Sequence, residues 1–285
     1  MGREKRKSKV AEDIIKLQND DGTWGNSFHS LGIPRRKHFL TTEQALRRLK
    51  VLGFTMKDDP IQKTVHCMTS CLRGERKIDG CREKTHDWDL FIQLMLSTWI
   101  RMFEPDNELA FAFAMRWAGV ISNAFANGSY DHQAYIEAYI CEFHSRPKGG
   151  REVDFVDFYH LGLLQGVLQE QIESRFLDYA ITKPAGIYYM YEYPVKNLPD
   201  VFASKETVKY LSAIQLLSGY KLAKEKLGFA IHWLLDNMEQ TGKWDLGSNA
   251  KDGIYLPLSD SWKKAEDRIK DCTEWISSIL QGLGV

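Results

Sequence analysis

The chain has 285 residues, and its 38 lysines and arginines are balanced by 38 aspartates and glutamates. A formal net charge of zero argues against a dedicated nucleic-acid-binding protein, because such a protein needs a basic face to displace counterions from phosphates. With 44% hydrophobic and 27% charged residues, the composition is that of a folded globular protein and excludes disorder over most of the chain.

No part of the sequence reaches the roughly 18 to 20 uninterrupted apolar residues that cross a bilayer. The two longest apolar stretches, 90–100 and 109–121, are both interrupted by polar residues. The basic first residues, about 1–7, are followed by no apolar segment and predict a tail and not a secretory signal. Five cysteines, an odd number, are typical of reduced thiols, so we expect a cytoplasmic protein.

Hydrophobic residues recur at helical spacing along the first half of the chain, and capping residues mark where helices begin. Thr41 and Gln44 have the spacing of a capping box, and Asp59 precedes a proline suited to the first helical position. Asp87 is expected to cap a helix that ends before Pro105. We predict helices over 8–19, 41–51, 61–72, 87–103, 106–128 and 131–146.

The second half follows the same pattern. Asp154 begins an apolar stretch that extends through Tyr179 as one or two helices, and Pro184 ends it. Further helices are predicted over 205–217 and 221–239, and a last one begins at Asp260 or Ser261 and extends to residue 280. Strand signals are scarce. Ten or eleven helices predict an all-α protein built from helical hairpins.

Two long connections, 20–40 and 240–260, carry the same Gly-x-Trp pattern and each follows a helix directly. Alignment of the two tryptophans extends the similarity upstream, which indicates an internal repeat at the two ends of the chain. The residues at the same offsets are Val10, Asp13, Ile14, Gln18 and Gly22 before Trp24, and Ala230, Trp233, Leu234, Met238 and Gly242 before Trp244.

This pattern resembles the QW repeat of terpenoid cyclases and of the β subunits of protein prenyltransferases. The first copy has Asp13 in place of an aromatic residue, and the second has Met238 in place of glutamine. The resemblance implies an α/α toroid, with an inner and an outer ring of helices around a mostly apolar, aromatic cavity. It further implies one domain over 1–285 and an apolar, isoprenoid-like ligand.

The catalytic motifs of those relatives are incomplete in this sequence. Protonating cyclases carry Asp-x-Asp-Asp, and the nearest match is Asp87-Trp88-Asp89-Leu90. The resemblance makes Asp89 the proton donor and Asp87 its support. The alternative from the residues themselves is that Asp87 caps a helix and Asp89 is a first-turn acid that the helix dipole favours. The diphosphate-ionising motif Asp-Asp-x-x-Asp is absent from the sequence.

Thiol and imidazole groups cluster between residues 66 and 86: His66, Cys67, Cys71, Cys81 and His86. Cys67 and Cys71 are four residues apart, so both lie on one helix face, and a tetrahedral zinc site is one interpretation. Packing of cysteines as small apolar residues is the other. Since no Cys-x2-Cys pair accompanies them, we predict neither a metal nor another cofactor.

A second polar cluster is Asp154, Asp157 and His160. His160 is a candidate catalytic residue, because an aspartate three residues before a histidine on one helix face can form an acid–base group. The alternative is a helix cap followed by a histidine whose nitrogens are satisfied in the core.

The segment 187–200 combines four tyrosines and two prolines without helical periodicity. Aromatic faces in such a loop suit an apolar ligand or a sugar, and the alternative is a loop that closes one end of the barrel by ordinary packing. The candidate ligand-binding residues are Trp88, Tyr188, Tyr189, Tyr191 and Glu192, and Tyr193 lies in the same segment.

Three functions remain open at this point. The first is a terpenoid-cyclase-like or prenyltransferase-like protein that binds or transforms an apolar ligand. The second is a scaffold that kept the ring and lost the site, and the third is a carbohydrate-active α/α barrel with paired carboxylates. The expected cytoplasmic location argues against the carbohydrate-active enzyme, and the missing motifs add weight to the scaffold, which ranks just behind the cyclase-like protein. Neither catalysis nor the oligomeric state can be predicted.

Overall fold

The computed structural model of the protein describes residues 6–29, 40–78, 87–148 and 154–285. The described residues form twelve α-helices, a short 3₁₀-helix at Ser248–Ala250 and isolated β-bridges. The all-α fold class is therefore confirmed. The helices are α1 (Lys9–Ile15), α2 (Thr42–Val51), α3 (Asp59–Leu72), α4 (Trp88–Phe103), α5 (Glu108–Ala124), α6 (His132–Phe143), α7 (Phe158–Leu163), α8 (Glu170–Thr182), α9 (Lys205–Leu217), α10 (Ala223–Lys226), α11 (Gly228–Asp236) and α12 (Ala265–Gly282).

Most helices begin at the residues that the capping patterns predict. Thr41 accepts the backbone N–H of Gln44, and the Gln44 side chain accepts that of Thr41, which completes the capping box of α2. Asp87 and Asp131 each accept a backbone N–H three residues further on. These hydrogen bonds satisfy donors that the first turn of a helix leaves unpaired.

Some boundaries differ from the prediction because a neighbouring residue provides the cap. Asp157, not Asp154, precedes α7, since its carboxylate accepts the N–H groups of Tyr159 and His160. Asp154 instead pairs with Lys183. In the same way Asn107 caps α5 by accepting the N–H of Ala110. Asp58 precedes α3 without a side-chain hydrogen bond to its first turn. The predicted helix over 221–239 is two short helices, α10 and α11.

The chain forms two compact units. The first consists of Met1–Cys81, Val201–Val208 and Met238–Ile276. The second consists of Arg82–Asp200, Lys209–Asn237 and Ser277–Val285. The first unit contains α1 to α3, and the second contains α4 to α8 together with α10 and α11. The toroid arrangement and the single domain over 1–285 stay predictions.

In the first unit, two buried arginines of α2 bind the segment that precedes α12. Arg47 donates to the hydroxyl of Tyr255, at 2.9 and 2.7 Å from its Nε and Nη2. Arg48 donates to the carbonyls of Ile254 and Tyr255. Asp271 of α12 accepts a 2.7 Å hydrogen bond from Trp262. These contacts hold the segment in a non-helical conformation, so the last helix begins at Ala265 and not at 260.

The two Gly-x-Trp segments share a set of backbone hydrogen bonds. We call Asn19–Trp24 the first Trp turn and Glu239–Trp244 the second Trp turn. In each, the first residue donates its N–H to the carbonyl just before the tryptophan, at 2.8 and 2.9 Å. In each, the backbone N–H of the tryptophan donates to a threonine hydroxyl, that of Thr42 at 2.9 Å and that of Thr273 at 3.1 Å.

Gln18 is the residue that distinguishes the first Trp turn from the second. Its Nε2 donates to the carbonyls of Gly22 and of Pro60, at 3.0 and 2.9 Å, and so ties the turn to the first turn of α3. Met238 occupies the equivalent position and is 40% exposed. Both tryptophans are nonetheless buried, and the threonine contact is common to the two turns.

In the second unit, α4 packs against α5 and α7, and α5 packs against α6. Aromatic side chains fill these contacts. The indole of Trp117 lies 5.8 Å from the ring of Tyr139 and 4.9 Å from that of Phe143, measured between centroids. Such edge-to-face and tilted pairs stabilise the packing beyond the area that they bury.

Candidate functional site

A continuous series of aromatic rings crosses one part of the second unit. Trp88 lies 5.6 Å from Phe91, Phe91 lies 5.5 Å from Tyr159, Tyr159 lies 5.8 Å from Tyr189, and Tyr189 lies 4.1 Å from Tyr188, all between centroids. We call these five residues the aromatic row. Three of the five predicted ligand-binding residues, Trp88, Tyr188 and Tyr189, therefore belong to one connected series of rings.

The ends of the aromatic row reach solvent and its middle is buried. Tyr188 is 55% exposed, Trp88 and Tyr189 are half-buried, and Phe91 and Tyr159 are buried. Phe91 and Tyr159 meet edge-on, at 88°, and Tyr159 meets Tyr189 at 78°. The exposed ends can therefore offer ring area to a ligand, and the buried rings hold those ends in orientation.

The backbone at Tyr189 is strained and held from both sides. Its φ is 70°, a left-handed conformation that costs an aromatic residue about 1 to 2 kcal/mol. The neighbouring Tyr188 donates its N–H to the carbonyl of Val156 at 3.1 Å. The carbonyl of Tyr188 accepts the N–H of Phe158 at 3.2 Å. Strain of this kind persists only where the surroundings impose it, and it is frequent in ligand-binding segments.

The two remaining loop candidates lie elsewhere. Tyr191 is buried, with its ring 5.3 Å from that of Tyr210, and Glu192 is exposed. Tyr193 is 57% exposed and contacts Tyr191, not the aromatic row. Burial of Tyr191 removes its face from a ligand, so it supports the loop from within.

Asp87 and Asp89 have the positions of a helix start. The Asp87 carboxylate accepts the N–H of Leu90 at 3.1 Å as the cap of α4, and Asp89 is exposed in the first turn. An acid that protonates an alkene must be buried and polarised by hydrogen-bond donors. The exposure of Asp89 does not provide that environment.

Asp157 and His160 form a buried pair beneath the segment that carries Tyr188. The Asp157 carboxylate contacts Nδ1 of His160 at 2.9 Å, and both side chains are fully buried. The imidazole lies edge-to-face on Trp117, 4.3 Å between centroids. Its Nε2 has no hydrogen-bond partner within the described part of the chain. The Asp157 carboxylate also caps α7, so the pair holds α7 in place.

Cys67 and Cys71 lie on one face of α3 in the first unit, as their spacing predicts. They line a cavity of about 380 Å³ together with the first Trp turn and Arg76. A hydrogen bond from Cys71 and the nearby Arg76 guanidinium lower the pKa of Cys67 to about 7, against the opposing effect of burial. The same contact and burial raise the pKa of Cys71.

His66, the other described residue of the thiol and imidazole cluster, does not line this cavity. His66 is exposed, and Cys81 and His86 lie outside the described residues. Across the described ranges, no group of three or more histidine, cysteine, aspartate or glutamate side chains is arranged to hold a metal ion.

Two members of the aromatic row, Phe91 and Tyr159, were not among the predicted residues. Phe91 could have been found, since it lies three residues after Trp88 and therefore on the same side of α4. Tyr159 had no such signal, because its contacts join segments that are distant in sequence.

Comparison of the chain with protein-family models, with curated proteins and with solved structures found no match. Among the described residues, no helix has the length and apolar character that a membrane span requires.

Proposed function

We propose that the protein binds an apolar, isoprenoid-like ligand on the aromatic row, and that it is an α/α-toroid protein of the terpenoid cyclase type. The observation that carries this proposal is the unbroken series of rings from Trp88 to Tyr188. A chain of methyl-bearing alkenes offers many weak contacts, and the ring area exposed at Trp88, Tyr188 and Tyr189 is what gathers them. Phe91 and Tyr159 hold these rings in place from the core.

The two Trp turns support the family assignment in this proposal. They share a positive-φ glycine, a buried tryptophan and a threonine that receives the tryptophan N–H. The donation from Gln18 to the start of α3 is the role that the resemblance assigns to the glutamine of a QW repeat, which is to tie one helical hairpin to its neighbour.

The site favours binding of an apolar ligand without its cyclisation. Asp87 caps a helix, Asp89 is exposed, and Asp157 is engaged by two backbone donors and by His160. None of these carboxyl groups combines burial with freedom to transfer a proton to a ligand on the aromatic row, so we assign no catalytic step.

Calorimetric titration with farnesol, a fifteen-carbon prenol, tests the proposal. Trp88→Ala and Tyr188→Ala are each expected to weaken binding about 30-fold, equivalent to about 2 kcal/mol for an aromatic anchor. Tyr193→Ala is the matched control, because Tyr193 is as exposed as Tyr188 and lies outside the aromatic row. It is expected to bind as the unmodified protein does.

Two results contradict the proposal. If farnesol does not bind, or if all three variants bind it equally, the aromatic row is not its site. If cellotetraose binds in place of farnesol and Trp88→Ala abolishes that binding, the aromatic row is a sugar-binding surface, and the carbohydrate-active alternative replaces the isoprenoid one.

A further inference from the structure

The cavity beside α3 is independent of the aromatic row, and nothing in the proposed function uses it. Cys67 and Cys71 stand one helical turn apart and both face this cavity of about 380 Å³. Both side chains line the cavity wall, and Nη1 of Arg76 lies 4.0 Å from the Cys67 sulfur. Two thiols and a guanidinium thus converge at one wall.

We propose that Cys67 and Cys71 bind one soft monovalent metal ion of the Cu⁺ type, held between their two sulfur atoms. Thiolates are the ligands that select such ions. Ligands four residues apart on a helix project to the same side, which is the spacing that lets two side chains of one helix share a metal ion. The ion enters from the cavity.

The number of ligands decides between metal ions. A structural zinc site takes four protein ligands, whereas the described wall of the cavity offers two thiols, Cys67 and Cys71. Two thiolates are sufficient for a two-coordinate monovalent ion. Binding releases the thiol protons to solvent and leaves a complex with a net charge of −1. Arg76 and Lys77 on the cavity wall offset this charge together with that of Asp21, which lines the same wall.

A disulfide between the two thiols fits the helix less well. Residues four apart on a helix have Cβ atoms about 5 to 6 Å apart, whereas a disulfide needs about 3.5 to 4.5 Å. Closing that gap requires the backbone of α3 to move. A bridging ion accommodates the wider separation without such movement, since it adds two metal–sulfur bonds between the side chains.

Transfer of Cu⁺ from its coloured bathocuproine disulfonate complex tests the proposal, under anaerobic conditions with a non-thiol reductant. The chelator competes away ions held by a single thiol, so only a two-thiol site removes the colour. The full chain is expected to take up one Cu⁺. Cys67→Ser and Cys71→Ser are each expected to weaken uptake by about 100-fold or more, because the second ligand acts at high effective concentration.

Cys141→Ser is the matched control, since Cys141 is an exposed thiol on α6, and it is expected to leave uptake unchanged. Circular dichroism of each variant shows whether the helical fold of the protein is kept. The proposal is overturned if the chain takes up no Cu⁺ while folded. It is also overturned if Cys81→Ser abolishes uptake, or if Zn²⁺ displaces Cu⁺ at equal concentration, because either result requires more than two ligands.

Discussion

Replacement of Gly22 and of Gly242 by alanine is expected to destabilise the protein to different extents, although the two glycines are equivalent in the two Trp turns. Their φ angles are 91° and 75°, and an L-residue with such a φ loses about 1 to 2 kcal/mol to steric strain. Alanine also restricts the unfolded chain, which returns about 0.4 to 1 kcal/mol. The backbone alone therefore predicts a loss of about 1 kcal/mol at either position.

The surroundings of the two glycines separate the variants. A Cβ on Gly22 would lie 2.7 Å from the carbonyl carbon and oxygen of Lys63 in α3, whereas a Cβ on Gly242 meets nothing within 4 Å. Backbone atoms cannot rotate away, so α3 or the first Trp turn must shift, at a further cost of about 1 to 3 kcal/mol. We expect a total loss of about 3 kcal/mol for Gly22→Ala and about 1 kcal/mol for Gly242→Ala.

Urea denaturation followed by far-ultraviolet circular dichroism measures both losses. The midpoint should fall further for Gly22→Ala, while the dependence on urea concentration stays the same as in the unmodified protein, since only then does the midpoint report stability. Equal losses for the two variants would refute the reasoning, because they would mean that the first Trp turn does not touch α3. A larger loss for Gly242→Ala would refute it as well.

Two further predictions concern charged side chains. Asp157→Ala is expected to lower the free energy of unfolding by about 3 kcal/mol, because it removes the cap of α7 and leaves His160 buried without its partner; Asp157→Asn, which keeps an acceptor for the cap, should lose less in the same urea assay. Arg268 donates to the Asp245 carboxylate and lowers its pKa below the ordinary 3.8. Since the folded pKa is the lower one, the ion pair stabilises the protein above pH 3.8 and the stabilisation is lost as the pH falls through the folded pKa. The difference in stability between the unmodified protein and Asp245→Asn should therefore shrink in acid, and a difference that stays constant with pH would contradict this assignment.

The helices could be predicted because their signals are local. Each of these caps needs only a side chain and a backbone N–H three residues away, as in the capping box of Thr41 and the caps of Asp87 and Asp131. Errors arose where two acceptors stand close together. In sequence, Asp154 and Asp157 are equally good candidates for the cap. In the structure Asp157 is the cap, whereas Asp154 pairs with Lys183, which is distant in sequence.

The candidate site could be predicted only in part. The sequence named Trp88, Tyr188 and Tyr189 as candidates, and Tyr188 does contact Tyr189. Trp88 is connected to them only through Phe91 and Tyr159, which are helical core residues in sequence. In sequence, Tyr191 cannot be distinguished from the other tyrosines of its loop. Its ring packs against that of Tyr210 in the structure, and this packing buries it.

The amino-acid sequence by itself determined the all-α class, the places where most helices begin and the two Trp turns, because each depends on backbone angles and hydrogen bonds within a few residues. Tertiary structure alone decided which polar groups are exposed and which are buried. Asp89 reaches solvent, the Asp157–His160 pair is enclosed, and Cys67 and Cys71 face a cavity. Burial depends on segments that are far apart along the chain, and periodicity within one helix does not identify its neighbours.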